Sequence, residues 1–141
     1  MSAQRCDFIF CQRSQRCGQS ATTATWPAGA RVIVFSRTLR QADHPGVIVT
    51  AEPAATLVAR LRAESAGGEI WLYGGGALFA SLLAAGQVDH VEVTLIPILL
   101  GGGVPLLPPG HIRSPLALEH VEQYPSGQVS LHYAVVAAQT P

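Results

Sequence analysis

Apolar and polar positions along the chain change period several times, and each change marks an element. Arg31-Val32-Ile33-Val34-Phe35 is a continuous β-branched run, the pattern of a strand buried on both faces. It stops at a polar corner, Ser36-Arg37-Thr38-Leu39. The turn His44-Pro45-Gly46 leads into a second short strand over Val47–Thr50. Thr50 or Glu52 then opens a helix with Pro53 in its first turn; Leu57, Val58, Leu61 and Arg62 continue at helical spacing, and Gly67-Gly68 closes it. Glu69–Tyr73 returns to a strand, Gly74-Gly75-Gly76 forms a turn, and Ala77–Ala85 is an Ala/Leu-rich helix stopped by Gly86. From Asp89 to Ile96 the period is two, with Val91, Val93 and Leu95 on one face and Glu92 and Thr94 on the other. Pro97 interrupts that strand, Ile98–Leu100 is expected to resume it, and Gly101-Gly102-Gly103 opens a loop that runs to Pro105. Leu116–Tyr124 and Val129–Ala137, joined by Pro125-Ser126-Gly127, read as a closing hairpin.

Helical crossovers imply parallel pairing in the first part, and the hairpin adds antiparallel strands at the end. The expected fold is a single α/β domain, a mixed β-sheet flanked by helices. Residues 27–141 form that domain. Residues 1–26 are rich in Arg, Ser, Thr, Gln and Cys, and only Cys6–Cys11 can form a short strand there. That first segment reads as atypical and poorly ordered, with a weak likeness to an organelle transit peptide.

Composition narrows the function classes. A chain of 141 residues, 48% hydrophobic and 13% charged, can bury a core without disulfides or metal. The formal net charge is zero, so no overall field favours nucleic acid or an anionic membrane. No apolar run is long enough to span a bilayer, and no secretory h-region opens the chain, so a reducing cytoplasm is expected. Cys6, Cys11 and Cys17 match no zinc spacing, and the five His are scattered, so no metal is expected.

Candidate chemistry centres on the strand–glycine–helix junction. Three glycines let a ligand approach the backbone, and the helix behind them aims its positive dipole end at that place. Such a junction suits phosphate. The competing reading is that the glycines only permit tight packing.

Three segments together carry a family resemblance. They are the corner Ser36-Arg37-Thr38-Leu39, the run Ile70–Leu78 through the three glycines, and Val88–Leu106 with its LIPILLGGGVPL stretch. In that order they resemble the dihydrofolate-reductase-like superfamily, in the branch of the riboflavin-biosynthesis reductase domain. The resemblance implies a mixed sheet flanked by helices, NADPH as cofactor, and hydride transfer to a small heterocyclic substrate of pterin or pyrimidine kind. It implies that the cofactor's pyrophosphate crosses Gly74, Gly75 and Gly76, with Ala77 and Leu78 opening the helix beneath. Ser36, Arg37 and Thr38 match the corner that meets the adenosine 2′-phosphate, where a guanidinium forks onto phosphate oxygens. For Arg37 the competing reading is a solvated surface charge. Asp89 matches an acid with a structural role in closing the turn after Gly86, and Glu92 and Thr94 lie on a strand that lines the substrate side in relatives. No catalytic residue is assigned, and a homodimer is compatible with the apolar C-terminal strands.

The family's opening strand, with its SLDG-like segment, has no match in residues 1–26, and Gly102 and Leu107 depart from the usual acid and aromatic of the later loop. Two readings follow: an NADPH-dependent reductase, or an N-terminally truncated, catalytically impaired relative that keeps a nucleotide site or an interaction role. The missing motif points to a truncated or rearranged relative rather than to a first segment that builds this wall in unrecognisable form, and because loss of one wall spoils the alignment that hydride transfer requires, reduced or absent catalysis is expected.

Overall fold

The structure, a computed structural model, describes residues 6–12, 29–64, 68–110 and 113–136. Four strands build a parallel sheet: β1 (Cys6–Gln12), β2 (Arg31–Phe35), β3 (Ile48–Thr50) and β4 (Glu69–Gly74). Their order is β3-β2-β1-β4. Helix α1 (Ala54–Glu64) connects β3 to β4, and helix α2 (Gly76–Ala84) follows β4. The chain ends in an antiparallel sheet, ordered β5-β7-β6, of β5 (His90–Leu95), β6 (Leu116–Gln123) and β7 (Val129–Val135). The fold is the expected mixed α/β domain, with its parallel and antiparallel pairings held in separate sheets.

β1 corrects the sequence reading. Cys6–Gln12 pairs in parallel with β2, Phe8 opposite Arg31 through Gln12 opposite Phe35, and on its other side with β4, Ile9 opposite Trp71. The sheet's central strand is therefore present. The remaining residues of 1–26, the expected boundary at 26/27 and the helix stop at Gly67 lie outside the described residues.

The alternation of β2 shows why its sequence reads as unbroken apolar. Ile33 turns to one face, where it packs with Leu57, Val58 and Leu61 of α1 and Leu78 and Leu82 of α2, flanked by Phe35, Ile70 and Leu72. Val32 and Val34 turn to the opposite face, against Val47, Leu39 and Val49. A strand buried on both faces has no polar side to display. Gln41, in a 3-10 turn over Gln41–Asp43, then ties down the outer edge of β3. Its amide nitrogen donates to the carbonyls of His44 (3.0 Å) and Val47 (2.7 Å), and its oxygen accepts from the Val49 amide (2.8 Å). Exposed edge amides invite foreign strands, and a side chain answers them here.

Two expectations for the second half change in detail. Gly76 is the first helical residue of α2, one position before the expected start. Ile98–Leu100 does not resume a strand. Pro97 has no amide to donate, and the Ile98 amide turns back onto the Ile96 carbonyl at 2.8 Å. Among the described residues no helix is long and apolar enough to cross a membrane.

Core packing predicts an asymmetry between two leucines. Leu82 is 3% exposed and Leu99 fully exposed. Leu82→Ala is expected to lower stability by about 2–5 kcal/mol in urea unfolding, and Leu99→Ala by less than about 0.5 kcal/mol.

Candidate functional site

In a parallel sheet all strands end on one side, so the turns leaving β2, β3 and β4 gather there. Ligands of open α/β sheets bind outside these carboxyl ends. A cleft of about 550 Å³ lies at that place. The corner after β2 supplies Ser36, Arg37 and Thr38; the segment after β3 supplies Thr50–Ala54; α2 supplies Ala77, Leu78 and Ser81. Five of the eight residues singled out in the sequence thus line one cavity. Gly74, Gly75 and Gly76 are outside its lining and set the path of the chain from β4 into α2.

Each glycine of that run answers a different constraint. Gly75 has φ of +97°, a backbone conformation that side chains rarely tolerate, and as the N-cap of α2 it brings no capping side chain. Gly76 is fixed by packing: a Cβ there would lie 2.7 Å from the Leu106 carbonyl oxygen and 3.7 Å from that of Pro105. Gly74 has open space where its Cβ would be. The packing reading therefore applies at Gly76 and not at Gly74. Gly76 is a packing residue, and Gly74 leaves the backbone open to approach.

The corner after β2 is built by its own serine. Ser36 Oγ accepts hydrogen bonds from the amides of Thr38 (3.2 Å) and Leu39 (3.0 Å), while the Ser36 amide donates to the Thr50 carbonyl (2.9 Å). Ser36 thereby fixes the direction in which Arg37 leaves the corner. Arg37 is exposed and makes no ion pair among the described residues.

Sequence reasoning missed the opposite wall. The Glu52 amide donates to Thr50 Oγ1 at 3.1 Å, and the Glu52 carboxylate pairs with Arg60 at 3.1 Å. The i to i+8 spacing of Glu52 and Arg60 spans the loop and two turns of α1, which no helix-pair rule signals. Ser81 Oγ donates to the Leu78 carbonyl (2.8 Å), so its hydroxyl proton serves the helix.

The other polar residues lie elsewhere. Asp89 pairs with Arg62, whose guanidinium also reaches the Gln87 carbonyl at 3.3 Å, and this ties α1 to the start of β5. Glu92 and Thr94 do not line the cleft; they share a face of β5 with His90. A hydrogen bond to Glu122 (2.7 Å) holds the Tyr124 phenol protonated and raises its pKa above the usual 10.0.

Comparison with known proteins agrees with this architecture. The model of the RibD C-terminal domain family matches residues 12–130. The uncharacterized proteins YyaP and YwjB of Bacillus subtilis (strain 168) are 31% identical over 100 residues and 36% identical over 83 residues. Those matches take in 71% and 58% of this chain and 52% and 46% of theirs, so the chain spans about half the length of the curated relatives it matches. Among solved structures, a candidate riboflavin biosynthesis protein from Shewanella sp. PV-4 superposes with a TM-score of 0.76 at 24% identity, over 94% of this chain and 76% of that one. RibD of Acinetobacter baumannii gives 0.62 at 22% identity (92% and 37%), and a pyrimidine reductase-like protein of Corynebacterium diphtheriae 0.59 at 18% (92% and 60%). At these identities the structures speak for the fold.

The glycine analysis yields a paired test. Gly76→Ala must displace the Pro105–Leu106 backbone and is expected to cost about 1–3 kcal/mol in unfolding experiments. Gly74→Ala, with free space around it, is expected to cost less than Gly76→Ala by the same measurement.

Proposed function

The chain belongs to the RibD C-terminal domain family, within the dihydrofolate-reductase-like superfamily, and we propose that it holds NADPH in the cleft and serves reduction of a small pterin- or pyrimidine-like substrate. The observation that carries this reading is Arg37, without an ion-pair partner among the described residues, at the rim of a cleft that α2 enters amino end first. An exposed guanidinium with no acid to neutralise it is suited to a phosphate dianion. The first turn of α2, uncapped by any side chain, offers backbone amides and a positive dipole end to a second phosphate group. Open space at Gly74 removes the steric bar to such an approach. The residues thus fit the phosphates of the cofactor that the family implies.

In this reading Ser36 holds the corner, Arg37 and Thr38 bind the 2′-phosphate, and Gly74–Gly76 with Ala77 and Leu78 pass the pyrophosphate. Glu52 pairs with Arg60, which offsets its charge beside the anion. NADPH supplies the hydride when bound, and the chain's contribution is position and electrostatics. The presence of β1 supports a reductase over a truncated remnant, because β1 pairs with both β2 and β4, the strands that lead into the cleft's two sides.

A second copy of the chain belongs to the same proposal. Seven apolar side chains of one loop stretch, Leu95, Ile96, Ile98, Leu99, Leu100, Val104 and Leu106, are each more than half exposed. At roughly 60–120 Å² for a whole side chain, and weighted by their exposure, they present on the order of 300–600 Å², a large part of the ~800 Å² per partner of a standard interface. Sedimentation at micromolar concentration is expected to give a dimer that Leu99→Asp with Leu100→Asp converts to monomer; a monomeric parent chain overturns this part.

Calorimetry tests the cofactor assignment. Arg37→Ala is expected to weaken NADPH binding by about 10- to 200-fold, the equivalent of 1.5–3 kcal/mol for a hydrogen bond to a charged group, and to leave NADH binding unchanged. A folded parent chain that binds no NADPH, or an Arg37→Ala variant that binds it equally well, contradicts the assignment. Binding without turnover of any pterin or pyrimidine substrate favours the nucleotide-binding remnant.

A further inference from the structure

The antiparallel sheet carries a polar row that the cleft does not use. β5 pairs with β7 so that Glu92 lies opposite His132, and β6 pairs with β7 so that His120 lies opposite the same His132. Opposed residues of neighbouring strands share a face, so a carboxylate and two imidazoles stand side by side across three strands. In sequence they are 28 and 12 positions apart, which is why no spacing rule finds them. The row is close-knit. Ser130 Oγ donates to Glu92 Oε1 at 3.2 Å and lies 3.5 Å from His132 Nε2, which is 3.8 Å from the same Glu92 oxygen. The rings of His120 and His132 meet edge to face, with centroids 5.5 Å apart.

These separations resemble those around a small tetrahedral cation. Ligand bonds of about 2.0–2.1 Å place neighbouring donor atoms roughly 3.4 Å apart. Two imidazoles on one such ion have ring centres roughly 5 Å apart by the same geometry. Among the described residues no three His, Cys, Asp or Glu donors already converge, so the ring of His120 has to turn toward Glu92 and His132. It is exposed, and the ring contact recorded for it is the edge-to-face one with His132. Ser130, 1% exposed beneath the row, steadies the carboxylate through its hydroxyl.

We propose that Glu92, His132 and His120 form a zinc-type divalent transition-metal site that ties β5, β7 and β6 together. Two nitrogens and one carboxylate oxygen suit zinc, with water completing the shell, and they disfavour the hard oxygen-seeking cations magnesium and calcium. The other charged groups on this face have partners of their own. His90 lies 3.6 Å from Glu119, and Glu122 accepts the Tyr124 hydroxyl at 2.7 Å.

The test uses the full chain with Cys6, Cys11 and Cys17 replaced by Ser, which removes competing thiols. Titration with zinc chloride at neutral pH is expected to show one ion bound per chain at micromolar affinity, with no response to magnesium. His120→Ala, His132→Ala and Glu92→Gln are each expected to weaken it at least about tenfold, and His44→Ala to leave it unchanged. Imidazole nitrogen NMR of the otherwise unaltered chain needs no variant at the site to fold. Zinc should shift the rings of both His120 and His132. No zinc binding, an equal response to magnesium, affinity retained in His120→Ala, or shifts confined to other histidines each overturn the proposal.

Discussion

The parallel sheet depends on one backbone pairing, the insertion of Cys6–Gln12 between β2 and β4. Without that strand, β2 and β4 would each face a row of unanswered amides and carbonyls on the side where they now meet β1. Buried backbone polar groups are paired almost without exception, so neither strand could hold its place alone. Both helices dock on the face this pairing creates: Ile33 on β2 and Ile70 and Leu72 on β4 contact the same cluster of α1 and α2 leucines. The cleft inherits its width from the same arrangement, since its two sides, the Ser36 corner and the opening of α2, follow strands that β1 holds apart.

Within that frame the cleft is shaped mainly by backbone. Gly75 turns the chain through a positive φ, Gly76 admits the Leu106 carbonyl, and Ser36 spends its hydroxyl on two amides of its own corner. The side chains left over are few, and their charges are sorted. Glu52 is answered by Arg60, and Arg37 makes no ion pair among the described residues. In the proposed reading, placed amides and one guanidinium meet a polyanion there, in keeping with chemistry that resides in a cofactor.

Local patterns in the sequence revealed much of this. β2 announced itself by an unbroken apolar run, α1 by the spacing of Leu57, Val58 and Leu61, and the hairpin by Pro125-Ser126-Gly127. The corner and the start of α2 were found through motif order, and the fold brings Arg37, Thr38, Ala77 and Leu78 to one cavity. Non-local pairing was not legible. Cys6–Cys11 was recognisable as a strand, yet nothing in those residues states that it lies at the sheet's centre, because that place is set by partners 23 and 62–63 positions away. Glu52–Arg60 and the Glu92–His132–His120 row escaped for the same reason: both are products of register and loop path. Ile98–Leu100 was misread because apolar character alone does not make a strand beside a proline.

The central claim is that the ends of β2 and β4 form one phosphate-reading site. An amide NMR titration of the uniformly labelled chain with NADPH tests it most directly. The account predicts shifts concentrated at Arg37, Thr38 and Gly74–Leu78, with the antiparallel sheet unmoved. Shifts that avoid these residues, or a spectrum that NADPH leaves unchanged, would contradict it.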